Sequence, residues 1–397
     1  MCIWREYVNK GKKDCKKIMK KYVIITEMDL NDPNRGTAAL GYGAVSFLKQ
    51  EGFLNNNHIL LKIPTPIKFW KHNDSLITTK IQGSEYRIKT CYIFKPFFDL
   101  YIKFGILLPF TKLSRIIKEI DLVAAINGGD GFSDIYNSST FYWRLRETWM
   151  ANRANIPVII LPQTIGPFTH EKNFKIASDI IKKAKKVFVR DDKFAPELNK
   201  MGVNYELTKD LSAYMQPEPW DIDIKSHSVG INVSGLCYSN SFRALAGQFE
   251  FYPLLIDKII KHFQEKNVDV YLIPHSYCFN APEANNDDIV ACKEAYNRLS
   301  NKEGVHLINK DLLSPQIKYV ISKMSFFCGT RMHANFAAIY TGVPLFGLAY
   351  SYKFEGAFNA NGLDGKKQTV MINNIKESDI SSIIDKIELI YKSQVKE

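Results

Sequence analysis

The chain has 397 residues, of which 46% are hydrophobic and 24% are charged, a composition typical of a folded globular protein and not of a disordered one. Its length allows two domains of ordinary size. The 7 cysteines form no C-x-x-C pair, and no stretch approaches the ~20 apolar residues of a membrane span. We therefore expect no disulfide framework, zinc site or transmembrane helix, and the cysteine usage indicates a reducing, cytoplasmic compartment.

Most of the positive charge lies near the start of the chain. The formal net charge is +12, and the first 120 residues hold 21 lysines and arginines against 10 acidic residues. Such a segment suits nucleic acid, an anionic membrane surface or an anionic substrate. No nucleic-acid-binding module is recognisable, so we expect no nucleic-acid partner. Residues 1–20 lack the apolar core of a secretory signal. They are interpreted as a basic N-terminal extension, either amphipathic or a frayed tail.

Strands and helices alternate through the first half. The pattern predicts strands at 21–26, 122–126, 157–161, 187–190 and 205–208, and helices at 36–50, 140–154, 171–184 and 192–201. Residues 59–88 are irregular, with short strand-like runs. Residues 94–117 place aromatic residues between lysines and are broken by Pro96 and Pro109. This is typical of either an interfacial segment in a lipid headgroup layer or a core helix with solvated lysines.

A second alternating set follows a polar, proline-containing linker at 216–225. It predicts strands at 229–233, 268–273, 305–308, 324–328 and 345–349, and helices at 252–265, 288–300, 314–322 and 332–340. Such alternation predicts parallel sheets covered by helices. The fold class is therefore α/β, with two Rossmann-like domains facing a cleft in the glycosyltransferase-B arrangement. We expect the N-terminal domain at 21–215, the C-terminal domain at 226–375 and a closing helix within 376–397.

Cationic side chains gather in the strand–helix–strand unit at 326–355. In a parallel sheet, ligands bind outside the carboxyl ends of the strands, which is where Arg331, His333 and Lys353 are expected. A helix N-terminus with an arginine fork favours a phosphate or a carboxylate. The unit is therefore interpreted as an anion site, the alternative being that Arg331 and His333 are surface and packing residues.

Other polar residues also follow predicted strands. The set comprises Asp130 and Asp134 in NGGDGFSD, Gln163 and Thr164 in PQTIGPF, Arg190 in VRDD, and His275 in PHS. Each has an ordinary alternative: a turn-forming aspartate, a surface ion pair for Arg190, or a buried, hydrogen-bonded His275.

These segments together resemble the polysaccharide pyruvyl transferase family. The resemblance rests on LPQTIGPF (161–168), VFVRDDKFAPELNKMGV (187–203) and CGTRMHANFAAIYTGVPLFGLAYSYKFEG (328–356), supported by NGGDGFSD (127–134) and NRGTAAL (34–40). It covers residues 22–360, and the sequence departs from the family at Thr37, where an acidic or amide residue is frequent. Residues 60–118 match no part of the family pattern, which fits variation with the acceptor.

The resemblance implies transfer of the enolpyruvyl group of phosphoenolpyruvate to two sugar hydroxyls, giving a cyclic ketal in surface or capsular polysaccharide synthesis. The donor carries a phosphate and a carboxylate, so its site needs separated cations. The residues expected to bind phosphoenolpyruvate are Arg331, Arg190, Lys353, Gln163 and Thr164. The residues expected to act in catalysis are His333, Asp130 and His275, and those expected to bind the acceptor are Asn34, Arg35, Gly36, Thr37 and Asp134.

We expect no required metal or cofactor, because no His, Cys and Asp set has metal-ligand spacing. The expected acceptor is a sugar on a lipid diphosphate, with the basic N-terminal domain as the acceptor side and the C-terminal domain as the donor side. The protein would then be cytoplasmic and peripheral on the inner face of the membrane. The alternatives are a nucleotide-sugar-dependent glycosyltransferase of the same fold and a non-catalytic, membrane-associated assembly protein.

Overall fold

The computed structural model describes residues 21–278 and 283–395. The predicted basic extension at 1–20 lies outside these residues. Within them the chain forms two sheets of mainly parallel strands, which confirms the α/β fold class with two Rossmann-like domains. The predicted linker at 216–225 lies between the last strand of the first sheet and the first strand of the second.

The first sheet has the strand order β3-β4-β2-β1-β5-β6-β7-β8, and only the β3–β4 pair is antiparallel. Its strands are β1 (Tyr22–Ile25), β2 (Ile59–Lys62), β3 (Ser75–Ile81), β4 (Ser84–Thr90), β5 (Ile120–Ala125), β6 (Val158–Gln163), β7 (Lys186–Val189) and β8 (Glu206–Leu207). Its helices are α1 (Arg35–Gln50), α2 (Lys95–Phe104), α3 (Lys112–Ile116), α4 (Ser138–Arg144), α5 (Arg146–Arg153), α6 (Glu171–Lys182) and α7 (Ala195–Met201).

The second sheet has the order β11-β10-β9-β12-β13-β14, with parallel pairing between neighbours. Its strands are β9 (Val229–Asn232), β10 (Val270–Leu272), β11 (Val305–Leu307), β12 (Phe326–Gly329), β13 (Leu345–Ala349) and β14 (Thr369–Met371). Its helices are α8 (Gly235–Ser239), α9 (Tyr252–Gln264), α10 (Asp288–Arg298), α11 (Ser314–Ile321), α12 (Met332–Thr341), α13 (Lys353–Ala360), α14 (Gly365–Gln368) and α15 (Ile380–Gln394).

The central strands of each sheet are buried on both faces. Alternate residues of β1 enter different core layers, with Tyr22 and Ile24 in one and Val23 and Ile25 in the other. The central strands are rich in β-branched residues because such side chains pack well on both faces of a parallel sheet. The closing helix α15 packs against the second sheet, where Tyr391 contacts Phe326 edge to face. Among the described helices, none is long and apolar enough to cross a membrane.

The strand order reverses direction once in each sheet. In the first sheet the change falls between β1 and β5, and in the second between β9 and β12. Loops that leave neighbouring strands at such a switch point diverge to opposite faces and leave a crevice, which is the usual ligand position in open α/β sheets. The two switch points therefore mark where functional side chains are expected.

Direct contacts join the two halves. The peptide N–H of Arg35 donates to the His275 carbonyl (3.2 Å), and that of Tyr277 donates to the Pro33 carbonyl (2.9 Å). The buried Lys318 ammonium donates to the carbonyl oxygens of Ser212 (2.9 Å) and Met215 (2.6 Å). The first two bonds fix the N-terminal end of α1 against the C-terminal half, and the Lys318 bonds fix the segment after β8.

Three segments differ from the predicted elements. Residues 75–90 form a hairpin, whose two-residue turn at Gln82 and Gly83 has positive φ angles of 49° and 78°. Pro96 lies in the first turn of α2 and does not break it, because proline lacks only an N–H that a first turn does not use. The single helix expected at 140–154 is two helices, α4 and α5, which meet at the fully buried Leu145.

Candidate active site

The candidate site lies where the carboxyl ends of the two sheets face each other. From the first half, Arg190 follows β7 and Asp130 follows β5. From the second half, Arg331 and His333 begin α12, and Lys353 begins α13. Parallel strands carry these residues to their sheet edges, and the bonds between the halves bring the two edges together.

Arg190 is held by three acceptors of its own half. Its Nε donates to the Thr164 hydroxyl (3.0 Å), and its Nη1 donates to the Asp210 carboxylate (2.7 Å). The Asp191 carboxylate lies 3.6 Å from Nε. Burial raises the pKa of Asp210, but the Arg190 charge and the hydrogen bonds from Ser212 together lower it overall, so that Asp210 stays ionised. Thr164 therefore positions Arg190, while its expected contact with the donor stays a prediction.

His333 sits on the N-terminal half although it belongs to α12. A Cβ atom on Gly36 would lie 2.5 Å from the His333 Nδ1, so glycine is what lets α1 approach the ring. Burial lowers the pKa of His333, the Asp210 and Asp130 charges oppose this, and the Arg190 charge adds to it. The ring is therefore neutral in the free protein, and its Nε2 is shielded from solvent without a hydrogen-bond partner.

Lys353 and Asp130 form an ion pair between the halves. The Lys353 Nζ lies 3.0 Å from the Asp130 Oδ2, and the Tyr136 hydroxyl also donates to that carboxylate (3.1 Å). Burial raises the pKa of Asp130, but Lys353 and then Arg190 lower it overall. Asp130 is therefore an anion beside two cations, and the ammonium is 42% exposed and accessible.

Arg331 enters the site already paired within its own half. Its Nη2 donates to the Asp288 carboxylate (2.6 Å) and to the Asn286 side chain (2.8 Å), and its Nε donates to Asp288 (3.1 Å). The peptide N–H of Arg331 donates to the Asn232 side chain, which β9 supplies from the next strand (2.8 Å). Much of the guanidinium fork is thus used by Asp288, and donor binding by Arg331 stays a prediction.

His275 is buried beside these groups. Burial, together with the nearby charges of Arg331 and Arg35, lowers the pKa of His275 to about 3. An imidazole with that pKa is neutral at physiological pH and is a weak base, which disfavours the predicted proton-transfer role. The peptide N–H of His275 donates to Asp288 (3.0 Å), so the residue belongs to the same buried network.

Two of the predicted ligands are used by the fold. Asp134 accepts the peptide N–H groups of Thr169 (2.8 Å) and His170 (3.1 Å) at the start of α6, together with the Asn173 amide (2.9 Å). Gln163 is fully buried and donates to the Ala125 carbonyl (2.7 Å). Both carboxylate oxygens of Asp134 are therefore used within the N-terminal half, whereas the Gln163 Oε1 is shielded from solvent and has no hydrogen-bond partner, so donor binding by Gln163 stays a prediction.

The loop predicted to bind the acceptor lies at the contact between the halves. Asn34 caps α1 by accepting the Gly36 N–H (3.1 Å). Arg35 is 2% exposed and pairs with Asp311 of the second half. Gly36 lies under His333, and Thr37 follows it in the first turn of α1. Acceptor binding by these residues stays a prediction, and among them Gly36 is the one that the structure places against His333.

Comparisons with known proteins agree on family and fold. The family described as polysaccharide pyruvyl transferase matches residues 34–352. The chain belongs to this family. No curated protein matches it by sequence.

Solved structures similar to this chain show the fold alone, because their sequence identities are low. The S. aureus MnaA–UDP structure has a TM-score of 0.51 at 14% identity, covering 95% of this chain and 91% of that one. UDP-GlcNAc 2-epimerase from Neisseria meningitidis, bound to UDP-GlcNAc, has a TM-score of 0.50 at 13% identity, covering 95% of this chain and 94% of that one. UDP-GlcNAc 2-epimerase from Methanocaldococcus jannaschii has a TM-score of 0.50 at 8% identity, covering 96% of this chain and 93% of that one.

Sequence reasoning missed the central acid of the transferase's site. Asp210 accepts a hydrogen bond from Arg190, and it caps the turn at Ser212 by accepting the Ser212 N–H (2.8 Å). Its charge also opposes the lowering of the His333 pKa by burial. Its DLS context indicates only a turn. The signal that could have found it is its place directly after the last strand of the first sheet. Among the described residues, no group of three or more His, Cys, Asp or Glu could hold a metal ion.

A second missed group lies at the switch point of the first sheet. Glu27 follows β1, and Asn127 follows the neighbouring β5; both have positive φ angles, of 53° and 50°. Arg144 lies between them, with its Nε 3.5 Å from the Glu27 carboxylate. A Cβ atom on Gly131 would lie 1.4 Å from Arg144, so the glycines of NGGDGFSD make room for this arginine. The Arg144 guanidinium also lies over the Tyr136 ring, 5.4 Å from its centroid.

Proposed function

We propose that this transferase moves the enolpyruvyl group of phosphoenolpyruvate onto two hydroxyls of a sugar and forms a cyclic pyruvate ketal. The observation that carries the proposal is the meeting of Arg190 from one half with His333 and Lys353 from the other, in a member of the pyruvyl transferase family. Two separated cations suit a donor with a phosphate at one end and a carboxylate at the other.

The reaction sets the number of proton transfers. Two hydroxyl O–H bonds break and two C–O bonds form at the central carbon of the donor. The phosphate ester bond also breaks, and the methylene group becomes a methyl group. The methylene carbon gains one proton and the departing phosphate gains the other, which balances the two protons that the hydroxyls lose. The site therefore needs a proton donor beside the methylene group and a base beside the hydroxyls.

His333 is proposed as the proton donor. It is neutral in the free protein, and a neutral imidazole does not protonate a carbon. Phosphoenolpyruvate brings negative charge next to the ring, and an adjacent anion raises the pKa of an imidazole. Binding of phosphoenolpyruvate would therefore protonate His333, so that the ring is cationic only in the complex with the donor.

The anionic ends of the donor are assigned to opposite sides of the cleft. Arg190 is fixed by Thr164 and Asp210 and presents an oriented guanidinium. Lys353 is more exposed and is paired only by Asp130 among its resolved contacts, so a phosphate can replace that carboxylate as its partner. In the proposal Arg331 supports the site by holding the loop at Asn286 and Asp288 against α12.

The acceptor is proposed to be a sugar on a lipid diphosphate at an anionic membrane. Residues 62–118 hold eleven lysines and arginines against three acidic residues. Within them Trp70 is 65% exposed, Phe104 71% and Phe110 94%. Ring contacts connect Trp70 through Phe69 and Phe94 to Phe97 at the start of α2. The basic residues and exposed rings of 62–118 are called the basic aromatic surface. Aromatic and basic side chains in combination favour a lipid headgroup layer.

The transfer test uses the full chain with phosphoenolpyruvate and polyprenyl-diphosphate-linked saccharides. We expect phosphate release that requires the saccharide, with a product heavier by one pyruvate ketal in mass spectra. Transfer of a sugar from a nucleotide sugar, without phosphoenolpyruvate consumption, would establish the glycosyltransferase alternative. No reaction with either donor, combined with no calorimetric binding of phosphoenolpyruvate, would support a non-catalytic role.

The membrane assignment is tested by sedimentation with liposomes. We expect binding to vesicles containing phosphatidylglycerol at low salt and none to phosphatidylcholine alone. Trp70→Ser combined with Phe110→Ser should remove binding, whereas Leu389→Ser, at an exposed leucine of α15, should not. Equal binding by all three proteins would exclude the basic aromatic surface as the docking site.

A further inference from the structure

The switch point of the first sheet holds polar groups that the fold does not satisfy. The Glu27 Oε1, the Asn127 Oδ1 and the Arg144 Nε are shielded from solvent and have no hydrogen-bond partner. Buried polar atoms are nearly always paired, because an unpaired one loses its hydrogen bonds to water without replacement. Three such atoms around one crevice indicate a site that a ligand completes.

The backbone at this crevice is also unusual. Glu27 has a φ angle of 53°, and Asn127, Gly128 and Gly129 follow one another with φ angles of 50°, 63° and 84°. A left-handed glutamate is uncommon, and such strain persists mainly at functional sites. The strain places the Glu27 side chain beside Arg144 and not in the sheet core.

The electrostatic surroundings keep Glu27 close to a change of protonation. Burial raises its pKa to about 7; Arg144 of α4 and Arg146 of α5 oppose this, while Glu147 of α5 and Asp130 of the β5 loop add to it. The Glu27 carboxylate makes no hydrogen bond with Arg144, which lies 3.5 Å away. Its side chain is 16% exposed although the Oε1 atom is shielded, so the carboxylate lies near the surface of the crevice and not deep in the core.

We propose that Glu27 is the base that takes the proton from the acceptor hydroxyl bound in the crevice between β1 and β5. This inference rests on the proposed function. The hydroxyl O–H bond breaks as its oxygen bonds to the central carbon of the donor, and the proton passes to the free Glu27 Oε1. After product release this proton leaves to solvent, which resupplies the proton that His333 gives to the methylene carbon. The departing phosphate takes up the proton of the second hydroxyl.

The position of Glu27 relative to the donor groups supports this role. Asp130 connects the two sites, because it accepts from Lys353 at the donor side and from Tyr136, whose ring lies against Arg144, at the other. Arg144 is fixed by the Asn127 carbonyl (3.1 Å) and stabilises the ionised form of Glu27. A carboxylate at this position also repels the anionic donor, which keeps the donor on the Arg190 side.

The kinetic test compares the full-length protein with Glu27→Gln, which keeps the shape and removes the base. We expect turnover to fall by about 10²–10⁴-fold, with loss of the acidic limb of the pH profile and with phosphoenolpyruvate affinity unchanged in calorimetry. Glu119→Gln is the matched control, since Glu119 pairs with Lys21 at the opposite end of the sheet and should leave turnover unchanged. A Gln variant with wild-type turnover and pH profile would overturn the proposal.

A second measurement does not depend on the reaction. Infrared difference spectra of wild type minus Glu27→Gln should show a carboxyl group that titrates near neutral pH. A Glu27 carboxyl ionised already at its ordinary pKa would overturn the proposal even in an active enzyme. If wild type releases no phosphate from phosphoenolpyruvate while this titration is present, the proposed function fails and the protonation behaviour assigned to Glu27 stands.

Discussion

Each of the two switch points holds a partly buried arginine beside a carboxylate, and the two pairs differ in how completely they are satisfied. In the second sheet, Arg331 donates to Asp288 at 2.6 Å, and Asp288 also accepts the peptide N–H groups of Gly235, His275 and Ser276. In the first sheet, Arg144 lies 3.5 Å from Glu27 without a hydrogen bond. The satisfied pair fixes loops, whereas the unsatisfied pair leaves a carboxylate oxygen available for chemistry.

The comparison is tested most strongly by removing the charge of Asp288. Asp288→Asn leaves Arg331 buried without its counter-ion and directs an amide at donors that need an acceptor, so we expect a loss of about 3–5 kcal/mol in the free energy of unfolding. Denaturant unfolding measures it. Asp257→Asn is the control, because Arg298, which pairs with Asp257, is 51% exposed, and it should lose less than about 1 kcal/mol. Equal losses would show that the two environments do not differ as described.

Removing the charge of Glu27, which belongs to the unsatisfied pair, should instead raise the stability of the protein above neutral pH. The pKa of Glu27 is raised from 4.5 to about 7, which corresponds to about 3 kcal/mol. The folded protein binds this proton more tightly than the unfolded chain, so the contribution is present below pH 4.5 and is lost as the pH rises through about 7. Glu27→Gln should therefore be more stable than wild type above neutral pH and equal to it in acid. Thermal unfolding across pH checks this.

A lower stability of Glu27→Gln at alkaline pH would contradict the comparison. It would mean that the Glu27 carboxylate stabilises the fold through Arg144 in the way that Asp288 does through Arg331. Activity is expected to fall as stability rises, which is the trade-off typical of residues placed for function.

The alternation of strands and helices was readable from sequence because it depends on local periodicity. The hairpin at 75–90 was missed although a glycine turn signals it, since Gln82-Gly83 joins two short runs of mixed polarity. The family motifs led to Arg190, His333 and Lys353. Asp288 and Glu27 were beyond reach, because their roles depend on which strands are neighbours, and the order of strands in a sheet is set by tertiary packing.

A smaller effect concerns the proton that His333 is proposed to carry. Burial lowers its pKa in the free protein, and bound phosphoenolpyruvate should raise it. Calorimetric titration in buffers of different ionisation enthalpy should therefore show uptake of about one proton per donor bound near neutral pH. His333→Gln should bind the donor without uptake. If proton uptake persists in this variant, a group of the site other than His333 takes up the proton.

The smallest change in stability is expected for the ion pair between the halves. Lys353 is 42% exposed and Asp130 23%, and pairs of this kind contribute less than about 1 kcal/mol. Lys353→Met should therefore unfold with wild-type stability but bind phosphoenolpyruvate about tenfold more weakly, a loss of about 1.4 kcal/mol. Since the Lys353–Asp130 pair is weak, a donor phosphate can displace the Asp130 carboxylate and take its place. A large stability loss in Lys353→Met would instead make this pair a fixed joint like Arg331–Asp288, and the donor would have to bind without opening it.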